Sequence, residues 1–537
     1  MRATLYSNGR LFTGDPERPT AEAMVVRGER IDYVGDNGTA RTRAGTDALE
    51  LDLAGRTVLP GFVDGHAHVL MTGEAQLKAH LTDAADVAEI QRRVAAWADT
   101  NPDAPRVLGR GWLFGAVPGG RPTRQLLDAV VPDRPVYLDA NDYHSVWVNT
   151  AALAELGVTR DTPDPVGGRI VRDTDGEPTG HLEETAAIEI VWSFLAEASS
   201  DTDRDRALMA AAHAYLSSGV TSAVDMALDE RNVAAMVRAE RDGRLDLRVV
   251  GHWLIHPGID HGPQIERAAE LARTHRSERL RVTGVKFIVD GVIDGCTATM
   301  LKPYADGSNA DPIWTADALA PAVAAADAAG LQVALHAIGD GAVRMALDAL
   351  EHAAAVNGPR PRRHRIEHLE YVDPADVPRL AQLGVTASMQ PVHADPAIRD
   401  NWAAMLGDER AERGFAWPEF SGAGAKLAFG TDAPTAPHPP LPNIYIATTR
   451  KSALDPELPA RQPDLAIPAP DALVHGTADS AWACRAEDDV GRLRAGLLAD
   501  FVVLDRDPFD HADGAAEALL RARVLRTVVG GRTVCRS

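Results

Sequence analysis

Two histidines separated by one residue stand directly after an apolar run near the start of the chain. They are His66 and His68 in the segment PGFVDGHAH. In an extended chain, residues i and i+2 point to the same side, so both imidazoles face one volume. Two imidazoles at this spacing can chelate one divalent cation. Taken alone, the pair is equally compatible with two solvated loop histidines.

Three more side chains that can bind a metal occupy similar positions further along the chain. His336 stands at the end of the apolar run LQVALHA and His368 at the end of RIEHLE, and Asp432 follows KLAFG in the segment GTDAP. A single histidine at such a position is more often a hydrogen-bonded core residue than a ligand. Four histidines and an aspartate at matching strand ends favour a metal site, because imidazole and carboxylate are common zinc ligands.

Eight apolar runs position these side chains. They are continuously apolar, which is typical of parallel strands that are covered by helices. Ala- and Leu-rich helical segments separate several of the runs, and neither GxGxxG nor GxxxxGK[ST] occurs in the chain. We therefore predict an α/β fold of the (β/α)8 TIM-barrel type, in which the chemistry lies at the carboxyl ends of the strands. The runs are VLPGFVD, GVTSAVDM, LRVVGHW, GVKFIVDG, LQVALHA, RHRIEHL, GVTASMQ and KLAFGTD.

The chain outside the barrel strands divides into two further parts. Short strand-like runs with turn signals such as Asn-Gly occur over residues 1–58 and 485–537, and chain ends often lie close together. We predict that these two segments form one small sheet domain and that the barrel covers residues 59–484. The first two barrel strands are separated by far more chain than one helix requires, which predicts an inserted subdomain over 75–205.

Composition argues against several classes of function. The chain has 537 residues and a formal net charge of −22, which disfavours nucleic acid as a partner because phosphates are bound by an excess of Lys and Arg. No apolar run approaches the roughly 20 residues that cross a bilayer, and the start shows no secretory apolar region. Three scattered cysteines do not indicate a disulfide framework. We predict a cytoplasmic protein that acts on a small molecule without a membrane partner, with a homodimer as one option for its assembly.

The motifs resemble those of the amidohydrolase superfamily, in particular the YtcJ-like group (amidohydrolase 3), which includes N-substituted formamide deformylases. PGFVDGHAH, GVTSAVDM, VKFIVDG, HAIGDGAV, RIEHLEYVD and FGTDAP stand in the order of that group. The similarity covers nearly the whole chain, including the insertion. It implies the (β/α)8 barrel and a β-sandwich formed from both termini.

The resemblance also implies a role for each of the five ligand candidates. His66 and His68 would bind a first cation, and His336 and His368 would bind a second. Asp432 would bind the first cation and serve as the catalytic proton acceptor. The cofactor would be one or two divalent metal ions, with Zn2+ as the expected metal.

Lys286 in VKFIVDG matches the lysine that some members carboxylate with CO2 to bridge both cations. Physical chemistry supports this role, because burial and nearby cations depress the pKa of an ammonium group and the neutral amine can take up CO2. Arginine stays protonated and cannot react in this way. The alternative is a lysine whose ammonium group extends to solvent. Cys296 is a competing soft ligand for zinc, with a buried free cysteine as the simpler interpretation.

Candidate substrate contacts are predicted from position. Tyr143 and His144 in NDYHSVWVN could donate a hydrogen bond to a developing oxyanion, and ordinary packing within the insertion is the alternative. Trp112 could line an apolar substrate pocket or belong to a core. His393 in MQPVHADP follows the seventh predicted strand and could contact substrate at the barrel mouth.

Two carboxylates stand beside the ligand histidines. Asp64 is two residues before His66, and Glu367 immediately precedes His368. Either could accept a hydrogen bond from a ligand imidazole and thereby orient it.

The predicted function is metal-dependent hydrolysis of a C–N bond in an amide, an N-formyl compound or a cyclic amide, by attack of a metal-activated hydroxide. One alternative is a mononuclear deaminase or a lactone or ester hydrolase. Another is a catalytically silent member that binds or regulates. A barrel isomerase that uses metal only to stabilise an enolate fits the paired histidines less well.

Overall fold

The structure is a computed structural model that describes residues 2–141, 144–165, 167–398, 400–509 and 517–536. The chain divides into two compact units. The first unit comprises Met1–Thr72 and Ala211–Ser537, and the second comprises Gly73–Ala210. The insertion predicted over 75–205 falls within the second unit, and the barrel strands belong to the first.

Eight parallel strands form one sheet in which each strand pairs with its neighbours in chain order. They are β1 Phe62–Ala67, β2 Val220–Leu228, β3 Arg248–Leu254, β4 Leu280–Ile288, β5 Gln332–Ala337, β6 Arg365–His368, β7 Thr386–Met389 and β8 Lys426–Phe429. Beyond β8, the N–H groups of Thr431 and Asp432 donate to the carbonyl oxygen of His66 at 3.2 and 2.7 Å. The predicted α/β barrel is confirmed, and each predicted run overlaps one of these eight strands.

Burial on both faces of the sheet explains why the runs are continuously apolar. Every residue of β1, β6 and β7 is buried. The helix Glu230–Arg241 illustrates how the outer layer forms: the Asp229 carboxylate accepts a hydrogen bond from the Asn232 N–H at 2.7 Å and caps its first turn. Its buried side chains, such as Val233 and Met236, recur at the spacing of one helical face.

The other helices of the first unit vary from one turn to five turns in length. Two helices, Val69–Leu77 and Asp201–Ser217, contain the boundaries between the units. The remaining helices are Asn37–Ala44, His261–Thr274, Ala316–Ala328, Asp340–Asn357, Val377–Gln382, Asp400–Leu406, Asp408–Ala411, Trp417–Gly422, Pro440–Thr449, Ala469–His475, Ala478–Ala483 and Glu517–Arg521, with 3-10 turns at Pro391–Ala394, Pro396–Ile398 and Pro463–Leu465.

Both chain ends contribute to a pair of sheets. Tyr6 and Phe501, from opposite ends of the chain, lie in one shared apolar core with their rings 4.9 Å apart. The limits 1–58 and 485–537 stay a prediction, because these sheets and the barrel form a single compact unit. One sheet has the order Arg30–Gly35, Ala23–Arg27, Ala3–Ser7, Leu49–Asp52, and the other has the order Arg532–Arg536, Val524–Val529, Phe501–Leu504, Thr57–Pro60, Arg10–Phe12, Thr20–Ala21.

The second unit is built on a six-stranded mixed sheet. Its strand order is Gly168–Arg172, Pro178–Glu184, Ser145–Val148, Val136–Ala140, Val107–Trp112, Ala79–His80. Many buried apolar side chains of this unit form two clusters that contain residues of this unit alone. Its helices are Val87–Thr100, Arg124–Asp128, Thr150–Leu156 and Ser193–Ala198, with 3-10 turns at Phe114–Ala116 and Pro118–Gly120 and a π-helical turn at Ala187–Trp192.

A buried carboxylate, Asp327, ties the helix Ala316–Ala328 to the segment that enters β6. It is 3.0 Å from His364 Nε2, 3.0 Å from Arg362 Nε and 2.6 Å from Arg360 Nη2. Burial alone would raise the pKa of Asp327, but the hydrogen bonds from these groups outweigh it and hold the pKa well below its usual range.

Replacing Asp327 with Asn should lower the free energy of unfolding by about 2–3 kcal/mol at pH 7, because it leaves two arginines without their carboxylate and one of them is partly screened by solvent. The pKa of Asp327 is depressed on folding. Its contribution is therefore complete above the unfolded carboxyl pKa of about 3.9 and declines as the pH falls below that value. Urea unfolding of both proteins at several pH values checks this. If the free energies of unfolding of the two proteins differ by the same amount at pH 7 and at pH 3, Asp327 does not stabilise the fold as an ionised carboxylate.

Candidate metal centre

The barrel brings the predicted ligands to the carboxyl ends of its strands. His66 lies on β1 and His68 directly follows it, His336 is the penultimate residue of β5, and His368 ends β6. Asp432 follows β8 by three residues and has a left-handed backbone conformation, with φ of 60°. The five side chains that the sequence spreads over more than 360 positions therefore share one end of the barrel.

Three of these side chains form a compact group. Oδ1 of Asp432 lies 3.3 Å from Nε2 of His66 and 3.1 Å from Nε2 of His68. Ligand atoms at about 2.0–2.1 Å from a tetrahedral zinc ion lie roughly 3.3 Å from one another. His66 Nε2 is also buried without making a hydrogen bond. This group, which we call the first ligand group, has the donor types, the spacing and the unsatisfied nitrogen that a divalent cation requires.

Glu367 orients the His66 imidazole. Its Oε2 lies 2.6 Å from His66 Nδ1, and both side chains are essentially inaccessible to solvent. Burial would raise the pKa of Glu367, but the adjacent Arg365 guanidinium and His66 hold it well below its usual range. An ionised Glu367 accepts the Nδ1–H, so Nε2 of His66 directs its lone pair at the first ligand group.

Asp64 accepts hydrogen bonds from the backbone beside two of the ligand candidates. Its carboxylate accepts hydrogen bonds from the Thr431 N–H at 2.9 Å, the Thr431 hydroxyl at 2.6 Å and the His66 N–H at 3.2 Å. Burial raises the pKa of Asp64 to about 7 despite these hydrogen bonds. The expectation that Asp64 contacts an imidazole is wrong, because its oxygens are occupied by the loop that carries Asp432.

A second cluster of imidazoles adjoins the first ligand group. The His368 ring centre is 4.8 Å from that of His66 and 4.4 Å from that of His336. His368 Nδ1 is buried without a hydrogen bond, whereas His336 Nε2 lies 3.2 Å from the carbonyl oxygen of Gly291. Burial lowers the pKa of His336 to about 3 and that of His368 well below its usual value, so both are neutral and able to bind a cation.

His393 and Glu370 complete this cluster. His393 Nδ1 lies 3.0 Å from Glu370 Oε1, and its ring stacks on His368 with centres 5.9 Å apart. His368, Glu370 and His393 offer ligand atoms that lie within 4.8 Å of one another. Glu370 was not predicted from the sequence. Its position two residues after His368 could have indicated it, as the same spacing did for His66 and His68.

Lys286 lies on β4 and is 2 % exposed. Burial lowers its pKa to about 8, and Arg365 acts in the same direction, whereas Glu367 and Asp432 oppose the shift. Among the described residues, no carboxylate lies within 4.0 Å of its Nζ to balance an ammonium charge. Cys296 Sγ lies 3.1 Å from the Met405 sulfur, and it belongs to neither of the two ligand clusters found in the described chain.

The predicted contacts in the insertion lie in the second unit. Trp112 is fully buried there, and its Nε1–H donates to the Leu138 carbonyl oxygen at 2.9 Å. His144 Nδ1 lies 2.9 Å from Glu184 Oε2. Tyr143 lies outside the described residues. Contact of any of these side chains with substrate stays a prediction.

Similarity to known proteins in sequence identifies the family of this chain. Residues 49–535 match the family model described as Amidohydrolase family, and the chain belongs to this family. It is 34% identical to Protein LONG AFTER FAR-RED 3 of Arabidopsis thaliana (98% of this chain, 91% of that protein) and 30% identical to the amidohydrolase YtcJ of Bacillus subtilis (strain 168) (99% of each). It is 28% identical to the N-substituted formamide deformylase of Arthrobacter pascens (99% of this chain, 98% of that protein).

Solved structures agree with this assignment. An uncharacterized metal-dependent hydrolase from Pyrococcus furiosus superposes with a TM-score of 0.78 at 29% identity, over 95% of this chain and all of that one. The resemblance to the YtcJ-like amidohydrolases predicted from the motifs is confirmed. Among the described residues, no helix combines the length and apolar content needed to span a membrane.

Proposed function

We propose that this chain is a metal-dependent hydrolase that cleaves a C–N bond in an amide, an N-formyl compound or a cyclic amide. The observation that carries the proposal is the first ligand group, in which one Asp432 oxygen lies within 3.3 Å of two histidine nitrogens. Membership of the amidohydrolase family supports hydrolysis as the reaction class. The relative from Arthrobacter pascens, named N-substituted formamide deformylase, supports a C–N bond as the target.

The donor sets fit one or two divalent cations, and we propose Zn2+. His66, His68 and Asp432 would hold the first cation. His336 and His368 would hold a second, with carboxylated Lys286 bridging the two. A neutral Lys286 amine, favoured by its burial, is the form that can react with CO2.

Asp432 would move the proton. A bound divalent cation lowers the pKa of a water molecule and polarises a substrate carbonyl. Oδ1 of Asp432 faces the two histidines, while Oδ2 lies 3.6 Å from His393 Nε2. Burial would raise the pKa of Asp432, but the adjacent imidazoles of His66 and His68 keep it well below its usual range, so the carboxylate is ionised. It accepts a proton from the attacking water as the C–O bond forms and delivers it to the nitrogen as the C–N bond breaks.

A mononuclear deaminase or lactone or ester hydrolase is the second candidate. The compact arrangement of the first ligand group favours it, because that group needs neither Lys286 nor the second imidazole cluster to bind one cation. The number of cations per chain separates the two candidates, since a value near one favours the mononuclear enzyme.

The experiment that tests the function combines elemental analysis with a screen for amine release from N-formyl, N-acyl and cyclic amides. We expect at least one of these classes to be hydrolysed by the metal-loaded protein. Asp432→Asn should lower turnover by about 10²- to 10⁴-fold, the range of a lost general acid–base. Asp317→Asn, a change on an exposed helix position, is the matched control and should retain activity. Full activity in Asp432→Asn would remove the proton-transfer role.

Lys286→Ala tests the bridging role. We expect the purified variant to lose about one cation per chain, because an anionic oxygen donor between the two sites is gone. Small carboxylic acids such as propionate should restore part of the binding by occupying the vacated volume. Lys451→Ala, which removes a half-exposed lysine, should keep the native cation content. Unchanged stoichiometry in Lys286→Ala would contradict the bridge.

A further inference from the structure

We propose that Arg365 is a positioning residue for the metal centre: it fixes Glu367 and the β1 backbone so that His66 presents Nε2 to the cation. The inference rests on the proposed metal-dependent function. It concerns a side chain that is itself no ligand candidate and that lies in the barrel interior, at the first residue of β6.

Arg365 makes four hydrogen bonds to three strands. Its Nε donates to Glu367 Oε1 at 2.5 Å, and its Nη2 donates to Glu367 Oε2 at 3.0 Å. The same Nη2 donates to the Gly65 carbonyl oxygen on β1 at 2.6 Å and to Ser388 Oγ on β7 at 2.7 Å. Neither Arg365 nor Glu367 has exposed side-chain surface.

These contacts act on His66 from two directions. Glu367 Oε2 is shared between Arg365 Nη2 and His66 Nδ1, so the orientation of the carboxylate toward the imidazole depends on the guanidinium. Gly65 is the residue that precedes His66, so Arg365 also holds the backbone from which the imidazole extends. The planar fork of arginine makes these bonds together, whereas the ammonium group of lysine is a point charge on a flexible stem.

The location of the ion pair favours a functional role over a purely structural one. Burying two charges in a barrel interior costs free energy, and apolar side chains of similar volume often stabilise such a position equally well or better. Groups that orient a metal-bound imidazole typically change metal affinity by 10- to 100-fold when they are removed. Arg365 contacts that orienting group, Glu367, directly.

The test compares cation affinity in Arg365→Lys, Glu367→Gln and a matched control. Arg248→Lys serves as the control, because Arg248 makes a similar buried bidentate pair with Asp500. The Asp500 carboxylate also accepts from the Gly530 N–H, whereas that of Glu367 contacts a ligand imidazole. Zn2+ dissociation constants are measured by chelator competition, the visible spectrum of the Co2+ form reports the ligand geometry, and thermal unfolding of the metal-free proteins reports stability.

We expect Arg365→Lys and Glu367→Gln each to raise the dissociation constant of one binding step by about 10- to 100-fold and to alter the Co2+ spectrum. Arg248→Lys should lower the melting temperature while its dissociation constants stay within about threefold of the native values. If Arg365→Lys does not fold, the dissociation constants and the Co2+ spectrum of Glu367→Gln test the inference. Native affinity in the folded variants, or an equal loss of affinity in the control, would overturn the inference. A native protein that binds no cation would instead overturn the proposed function.

Discussion

The candidate site depends on the approach of one carboxylate oxygen to two imidazole nitrogens. His66 lies on the first barrel strand and His68 directly follows it, whereas Asp432 comes from the loop after the last strand. The Asp432 N–H donates to the His66 carbonyl oxygen at 2.7 Å, so the backbone contact that joins the ends of the barrel also places the carboxylate beside the histidines. The backbone contacts between β1 and the loop after β8 therefore also bring the first ligand group together.

The charges around this contact are consistent with a bound cation. Glu367 and Asp432 are buried carboxylates held in the ionised form, and His368 is held neutral. With the His66 Nδ1–H donated to Glu367, the free Nε2 lone pair faces a second anionic oxygen, an arrangement that is unfavourable until a proton or a metal ion lies between them. A divalent cation supplies the missing positive charge and the missing ligand bonds together.

Much of the fold was predictable, because parallel strands buried on both faces leave continuous apolar runs and because chemistry in such barrels lies at the strand ends. The same rules predicted the five ligand candidates. The role of Arg365 was not predicted. Arg365 donates to the carbonyl oxygen of Gly65, which lies 300 positions earlier in the chain, and no local sequence pattern indicates that contact. The partner predicted for Asp64 was wrong. A carboxylate near a ligand histidine can accept a hydrogen bond from an imidazole or from a loop, and the sequence does not show that Thr431 folds against Asp64.

The position of the bound ion itself tests whether the first ligand group holds a cation. Crystals of the zinc-loaded protein, measured on both sides of the zinc absorption edge, give an anomalous difference map that locates each ion independently of the protein atoms. We expect a peak about 2.0–2.2 Å from Nε2 of His66, Nε2 of His68 and an oxygen of Asp432. Peaks confined to other parts of the chain, with these three side chains left in mutual contact, would contradict it.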